Sequence, residues 1–242
     1  MRLHGRPRCR EVPLWVVTAN SGLVAIGGDL SPESLINAYS QGIFPWFNSD
    51  AEPILWWSPD PRAVVPLTDA DGQPWQGSAT GGLHVSRRLR RRLSAGQFDV
   101  TADQAFEAVI GGCAAPRREG DGTWITPAMQ RAYAKLHELG LAHSVEVWQE
   151  GELAGGVYGV SLGRMFFAES MFSARTDASK AGLARLAEHL VARGFELIDC
   201  QIMNRHLESL GATLMPRSAF LARVHQNNGR ATDRGPWTLA TS

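Results

Sequence analysis

Cysteine is scarce in this chain of 242 residues: Cys9, Cys113 and Cys200 are odd in number and lie far apart. That excludes a disulfide framework and any CxxC metal or redox centre, and it fits reduced thiols in a cytosol. Lysine is scarcer still, 2 residues against 22 arginines, an excess that a GC-rich genome produces as readily as selection for arginine chemistry. Neither sign of charge dominates, since 24 basic residues balance 24 acidic ones. No global field therefore calls for nucleic acid. No apolar run reaches the ~18–20 residues of a membrane span. The basic N-terminus lacks the apolar stretch of a signal peptide. The expectation is a cytoplasmic protein with no membrane partner. Walker A, GxGxxG, GxSxG and HExxH patterns are missing, the seven histidines have no metal spacing, and there are no internal repeats. The string Arg117 to Gly122 fits R-x-x-G-x-G, which cradles a pyrophosphate in acetyltransferases, but it does not join a strand to a helix and reads as a chance match.

The remainder is an ordinary globular composition, 44% hydrophobic and 20% charged, enough to bury a sizeable core. Residues 1–20 are irregular, with Pro7 and Pro13, and Gly27-Gly28-Asp29 is a turn. Ser31 followed by Pro32 starts a helix that buries Leu35, Ile36, Ala38 and Tyr39 and stops at Gly42. Ile43–Phe47 and Ile54–Arg62 are aromatic, proline-rich and extended. Residues 66–82 read as a flexible loop, and a domain boundary falls there, giving a small N-terminal α+β domain (1–66) and a catalytic domain (67–242).

In the second part, Ser86 caps a short arginine-rich helix, Asp103–Ile110 is helical up to Gly111-Gly112, and Thr126-Pro127 opens a helix closed by Gly140. The hydrophobic period then becomes two over Ser144–Trp148, Leu153–Val160 and Met165–Ser170, an antiparallel meander. A helix over Ala178–Arg193, a strand over Phe195–Gln201 and a short helix capped by Asn204 follow, and the polar tail after Asn227 reads as loosely ordered. This α+β order resembles the acyltransferase fold of GNAT-type N-acetyltransferases, which by itself names no reaction.

Asp199 and Gln201 are two apart at a strand end, so both leave the same face and can orient and partly deprotonate an attacking amine. On spacing alone, two polar residues satisfying backbone groups at a strand end are the commoner case. Glu169, after an apolar run, is solvated or, if it faces a pocket, able to hold a cationic group. Trp46, Trp56, Trp57 and Trp124 lie in short non-helical segments and are either core or a stacking platform worth ~1–3 kcal/mol per base. Arg87, Arg88, Arg90, Arg91 and Arg92 form a cluster dense enough to favour phosphate binding over a merely solvated helix face.

Taken together and in order, the segments resemble the leucyl/phenylalanyl-tRNA–protein transferases. They are Gly27–Ser31, Gly42–Phe47, Trp56–Arg62 (WWSPDPR), Gly122–Thr126, Leu136–Gly140, Glu169–Ser173, Ala178–Lys180 and Ile198–Asn204 through Ala212. The resemblance implies a small N-terminal domain and a GNAT-like C-terminal domain. It also implies transfer of Leu or Phe, less readily Met, from aminoacyl-tRNA to the N-terminal Arg or Lys of acceptor proteins, marking them for N-degron degradation. No cofactor and no metal are implied, because the ester is already activated, and a monomer is expected.

By the same resemblance, Gln201 contacts the acceptor amine and Asp199 polarises it. Trp46 and Trp124 stack near the terminal adenosine, and Glu169 and Asn204 hold polar substrate groups. Val157, Phe166, Leu183, Leu186, Leu190 and Ile198 form the pocket for the transferred side chain, and the Arg87–Arg92 helix grips the tRNA acceptor stem. Leu186 and Leu190 stand where aromatic residues can occur in the family, which leaves the Leu-versus-Phe preference open. Two further readings remain on the sequence: a coenzyme A-dependent N-acyltransferase and a non-enzymatic tRNA-binding module.

Overall fold

The computed structural model describes residues 22–69, 72–73, 75, 77–116 and 123–240. The irregular 1–20 segment, Cys9 and the Arg117–Gly122 string lie outside the described residues. The architecture is α+β, with a small N-terminal sheet and a larger C-terminal one. Strands β1 (Leu23–Ile26), β2 (Phe44–Pro45) and β3 (Leu55–Trp57) form the small sheet in the order β1-β3-β2. The large sheet contains β4 (Arg62–Pro66), β5 (Asp99–Ala102), β6 (Ala142–Gln149), β7 (Glu152–Leu162), β8 (Met165–Ser173), β9 (Leu197–Gln201) and β10 (Thr213–Met215), ordered β10-β4-β9-β8-β7-β6-β5. The β6–β7–β8 meander is antiparallel as the period predicts, and β8 runs parallel to β9. A boundary at residue 66 assigns Arg62–Pro66 to the small domain. These residues instead pair with both β9 and β10 inside the large sheet, because Ala63, Val64 and Val65 are apolar enough for a strand buried on both faces.

Capping chemistry places the helices where the sequence predicts. In α1 (Pro32–Tyr39) the Ser31 hydroxyl accepts from Ser34 N at 3.2 Å. In α2 (Arg87–Ser94) Ser86 accepts from Leu89 N, and in α4 (Pro127–Glu138) Thr126 accepts from Met129 N. Helices α5 (Ala178–Ala192), α6 (Arg205–Ser209) and α7 (Arg217–Asn227) complete the set with α3 (Phe106–Ala114). The α3 bounds correct the reading that Gly111-Gly112 ends the helix. A Cβ at Gly112 would come within 2.7 Å of the Phe172 ring, so this glycine serves close helix–strand packing rather than termination. Asp103 lies before the helix, with φ 56, and its carboxylate accepts from Ser144 N and Trp237 N.

Two apolar layers sandwich the large sheet. α5 covers one face, packing Leu183, Leu186 and Leu190 against Val157, Phe166 and Ile198. α1, α3, α4 and α7 cover the other, packing Tyr39, Val109, Tyr133 and Phe220 around Tyr158 and Phe167. No helix among the described residues is long and apolar enough to cross a membrane.

The tail is not loosely ordered. Trp237 is buried, stacks on the His143 ring at 3.7 Å and meets Phe166, Phe195 and His189. Asn227 accepts from Arg164 N and donates to Leu162 O, Thr232 accepts from Gly163 N, and Arg230 pairs with Glu196. The tail looks polar in sequence because its side chains are spent on fixing the β7–β8 hairpin, while a single aromatic supplies the burial. Trp237→Ala is expected to cost about 3–5 kcal/mol, in the range for deleting a buried large aromatic, read as a lowered urea midpoint.

Candidate active site

A cavity of about 820 Å³ opens where the large sheet splits. Parallel pairing of β8 with β9 covers only Met165–Phe167 against Leu197–Asp199. Beyond it β8 runs on to Ser173 while β9 ends at Gln201, and the gap between them is the pocket. Such a crevice at the carboxyl ends of parallel strands is a natural binding position.

One wall is apolar: Val157, Ala168, Met171 and Leu183, with Met203 and Leu207 from the β9–α6 turn and α6. The other is polar and aromatic: Glu169, Gln201, Asn204, Phe44, Trp46 and Trp124. Trp46 is 38% exposed at the rim, and its backbone oxygen accepts from Trp57 Nε1. Asn204 lines the pocket while its Oδ1 caps α6 by accepting from Leu207 N at 2.9 Å.

Glu169 occupies its position through an irregularity. Tyr158 faces Ser170 and Gly159 faces Ala168, so Glu169 is the extra residue of a bulge. Opposite it, a Cβ on Gly159 would come within 2.2 Å of Phe167 O, so only glycine allows the strands this approach. The carboxylate turns inward. Oε1 accepts from the Tyr39 hydroxyl at 2.7 Å and from Gln201 Nε2 at 2.7 Å, and Oε2 accepts from the Tyr133 hydroxyl at 2.8 Å. Burial raises the Glu169 carboxyl to about 7, against the lowering hydrogen bonds of Tyr39 and Tyr133. Folding thus binds its proton more tightly than the unfolded chain does. That contribution to stability is full below the ordinary value of 4.5 and is lost as pH rises through about 7.

Gln201 ends β9 with φ 64, the left-handed region. Its N–H donates to Asp199 Oδ1 at 2.9 Å, an Asx-type turn that holds this uncommon backbone. Asp199 is fully buried and outside the pocket wall. Arg62 grips it with a fork, Nε to Oδ1 at 2.8 Å and Nη2 to Oδ2 at 2.6 Å, and the guanidinium lies between the Phe44 and Phe220 rings. Asp199 and Gln201 are therefore neighbours with different surroundings: the carboxamide meets the pocket and the carboxylate meets Arg62.

Of the apolar residues expected in one pocket, Val157 and Leu183 line it. Phe166, Leu186, Leu190 and Ile198 lie in the core beneath, each at most 1% exposed. Ile198 pairs with Val65 and Phe166 where the strands are still joined, two residues before the gap opens. Leu186 and Leu190 lie one and two turns along α5 from Leu183, toward the closed end.

The arginine helix also divides. Arg87, Arg90 and Arg91 are exposed, with no ion-pair partner among the described residues. Arg92 is mostly buried, donating to Gln97 Oε1, Thr176 O and Asp177 Oδ2 and lying over Phe98, while Arg88 approaches Asp177 at 3.7 Å. The sequence singles out neither Arg62 nor Tyr133 as a site residue, and Tyr39 is legible only as a residue of an apolar helix face. A phenol on an apolar helix face still needs a partner for its hydroxyl, which is the signal that leads to Glu169.

Comparison with known proteins adds identity to this geometry. The family model described as leucyl/phenylalanyl-tRNA protein transferase matches residues 79–225, and the model of that enzyme's N-terminal domain matches residues 28–60. A leucyl/phenylalanyl-tRNA–protein transferase from Desulfatibacillum aliphaticivorans is 53% identical, covering 90% of this chain and 88% of its own. One from Stutzerimonas stutzeri is 56% identical, covering 83% and 82%. Among solved structures, a GCN5-related N-acetyltransferase from Kribbella flavida aligns at 12% identity and a TM-score of 0.37, over 77% of this chain and 61% of that chain. On the family match and these identities, the chain belongs to the leucyl/phenylalanyl-tRNA–protein transferases, and it is an enzyme, a transferase of aminoacyl groups.

Proposed function

We propose that this enzyme moves Leu or Phe, and less readily Met, from aminoacyl-tRNA to the N-terminal Arg or Lys of acceptor proteins, marking them for degradation by the N-degron pathway in the cytoplasm. The observation that carries this reading is the two-sided pocket. An apolar wall of Val157, Met171 and Leu183 suits a side chain without polar atoms, such as that of Leu or Phe, and in the same cavity Glu169 and Gln201 are hydrogen-bonded side by side and offer polar atoms to an amine. Its volume suits an aminoacyl adenosine end plus an acceptor terminus.

Gln201 orients the acceptor amine toward the ester carbonyl. Asp199, with Arg62, fixes the Gln201 backbone. Trp46 and Trp124 at the rim offer rings to the terminal adenosine, and Asn204 holds a polar substrate group. Phe166, Leu186, Leu190 and Ile198 support the apolar wall from behind and tune its shape rather than touch the substrate. Arg87, Arg90 and Arg91 supply sequence-blind phosphate contacts, which suit a ligand chosen by its amino acid. The enzyme acts as a monomer, and the activated ester makes a cofactor unnecessary.

Purified protein is expected to move labelled Leu from Leu-tRNA to a peptide beginning with Arg and not to one beginning with Asp. Transfer to neither peptide would sink the proposal. Leu-, Phe- and Met-tRNA assayed in parallel give the order of preference. Discrimination among them is expected to stay within ~1–3 kcal/mol, the scale of an apolar pocket.

A further inference from the structure

Three short oxygen–oxygen contacts close a ring that runs from Glu169 in the pocket wall to two fully buried phenols behind it. Tyr39 and Tyr133 bring their hydroxyl oxygens to 2.5 Å, Tyr39 lies 2.7 Å from Glu169 Oε1, and Tyr133 lies 2.8 Å from Glu169 Oε2. Each contact needs one hydrogen between its oxygens. The two phenols supply two hydrogens, and burial, with Glu169 beside them, keeps both phenols protonated. With the carboxylate ionised, one contact is left with lone pairs facing each other. With the carboxyl protonated, three hydrogens fill three contacts in one direction around the ring. The ring is one proton short in its ionised form and complete in its neutral form.

The carboxylate also has access to substrate. Tyr39, Tyr133 and Gln201 occupy three of its four lone-pair sites, which leaves one on Oε2 in a residue that lines the cavity. Asp199 has neither property: it is fully buried, both its oxygens are held by Arg62, and one also accepts from Gln201 N.

We propose, resting on the aminoacyl-transfer reading above, that Glu169 is the catalytic proton acceptor and that Asp199 is a positioning residue acting through Gln201. The acceptor enters as the free amine, having given its ammonium proton to water. Its nitrogen lone pair forms the C–N bond to the ester carbonyl carbon, and the carbonyl pair moves onto oxygen. Glu169 takes a proton from that nitrogen. The carbonyl reforms, the C–O bond to the ribose breaks with its electron pair on the ribose oxygen, and the Glu169 carboxyl returns the proton there. Amide and free ribose hydroxyl leave, and Glu169 is again ionised.

Several groups set the pH at which this operates. Tyr39 of α1, Tyr133 of α4 and Tyr158 of β7 surround the carboxyl, and Asp199 of β9, with its partner Arg62 of β4, lies behind Gln201. Arg205 and His206 of α6 line the same cavity. Cys200 lines it too, but burial pushes its thiol up to about 12, so it stays protonated and takes no part. The Glu169 value of about 7 puts its titration inside the working range of an enzyme.

The test follows kcat and acceptor KM against pH for transfer from Leu-tRNA to an Arg-terminal peptide. The wild type is expected to gain kcat as pH rises through an apparent pKa near 7. Glu169→Gln is expected to lose that limb and about 10²–10⁴-fold in kcat, with acceptor KM and tRNA binding little changed. Tyr39→Phe opens the ring and removes one of the hydrogen bonds to the carboxylate, so it is expected to move the limb away from its wild-type position. A Glu169→Gln enzyme that keeps kcat and only raises acceptor KM would make Glu169 an anchor for the acceptor's cation and overturn the proposal. A limb that stays in place in both variants would overturn it as well. Should Glu169→Gln not fold, Tyr39→Phe decides alone, and an unmoved limb refutes. Wild-type protein that transfers nothing counts against the function itself rather than against this residue.

Discussion

Arg62→Ala is expected to cost about 3–5 kcal/mol of stability and to abolish transfer in whatever fraction stays folded. The guanidinium and the Asp199 carboxylate are both fully buried, so removing one partner strands the other in a low-dielectric interior. The Phe44 and Phe220 rings also lose the cation between them. Arg62→Lys is not expected to rescue, because an ammonium is a point charge and cannot make the two parallel bonds at 2.8 and 2.6 Å. The double substitution Arg62→Met with Asp199→Leu separates the two roles. Replacing a buried ion pair by apolar residues of similar volume is often neutral for stability, so the unfolding free energy should return most of the way. Activity should not return, because Gln201 N loses its acceptor and the left-handed turn that aims the carboxamide loses its brace. Urea unfolding and transfer rates on the same four proteins read both quantities. A double variant that regained activity would leave the ion pair with a purely structural role.

This pair also marks where sequence reading stops. Caps, periods and stop signals placed α1, α2, α4, the meander, α5 and β9, because each is decided by neighbours within a few residues. What failed depends on partners far away in the chain. Gly111-Gly112 has the composition of a helix stop, and only the Phe172 ring, sixty residues on, explains a glycine inside α3. The tail reads as polar until Trp237 is seen stacked on His143. At the site, Asp199 and Gln201 were legible as a pair from their spacing. Arg62, 137 positions earlier, gave no local sign that it would claim the carboxylate. Tyrosine is the clue that composition did contain. The chain has only three, and Tyr39, Tyr133 and Tyr158 all lie in helices or strands that converge on Glu169. Scarce amphipathic side chains on apolar faces carry a requirement for a polar partner, and following that requirement finds the centre of the pocket.

Removing Arg87, Arg90 and Arg91 together is expected to weaken aminoacyl-tRNA binding and to flatten its salt dependence. These three project from α2 into solvent with no ion-pair partner among the described residues, so their charge is available to phosphates. Each contact to a duplex phosphate contributes about 0.9 to the slope of log K against log salt, so losing three lowers its magnitude by about 2–3. Because phosphate contacts are blind to the attached amino acid, Leu-, Phe- and Met-tRNA should weaken alike. Arg92→Ala is the informative contrast. Arg92 ties α2 to Thr176 O and to Asp177, which sits before α5, so its loss should lower stability while leaving the slope nearly unchanged. Asp177 reports the same division. Burial pushes its carboxyl up, but the Arg92 hydrogen bond and the charges of Lys180 and Arg88 outweigh that and hold it below the ordinary range. Its ionised form is thus bound more tightly in the folded protein, and the stability it contributes is present above its unfolded pKa and lost as pH falls through the folded one. Binding titrations at several salt concentrations, run beside unfolding curves, separate the two groups of arginines. A slope that the triple substitution leaves untouched would make the whole of α2 a solvated face held in place by Leu89 and Arg92.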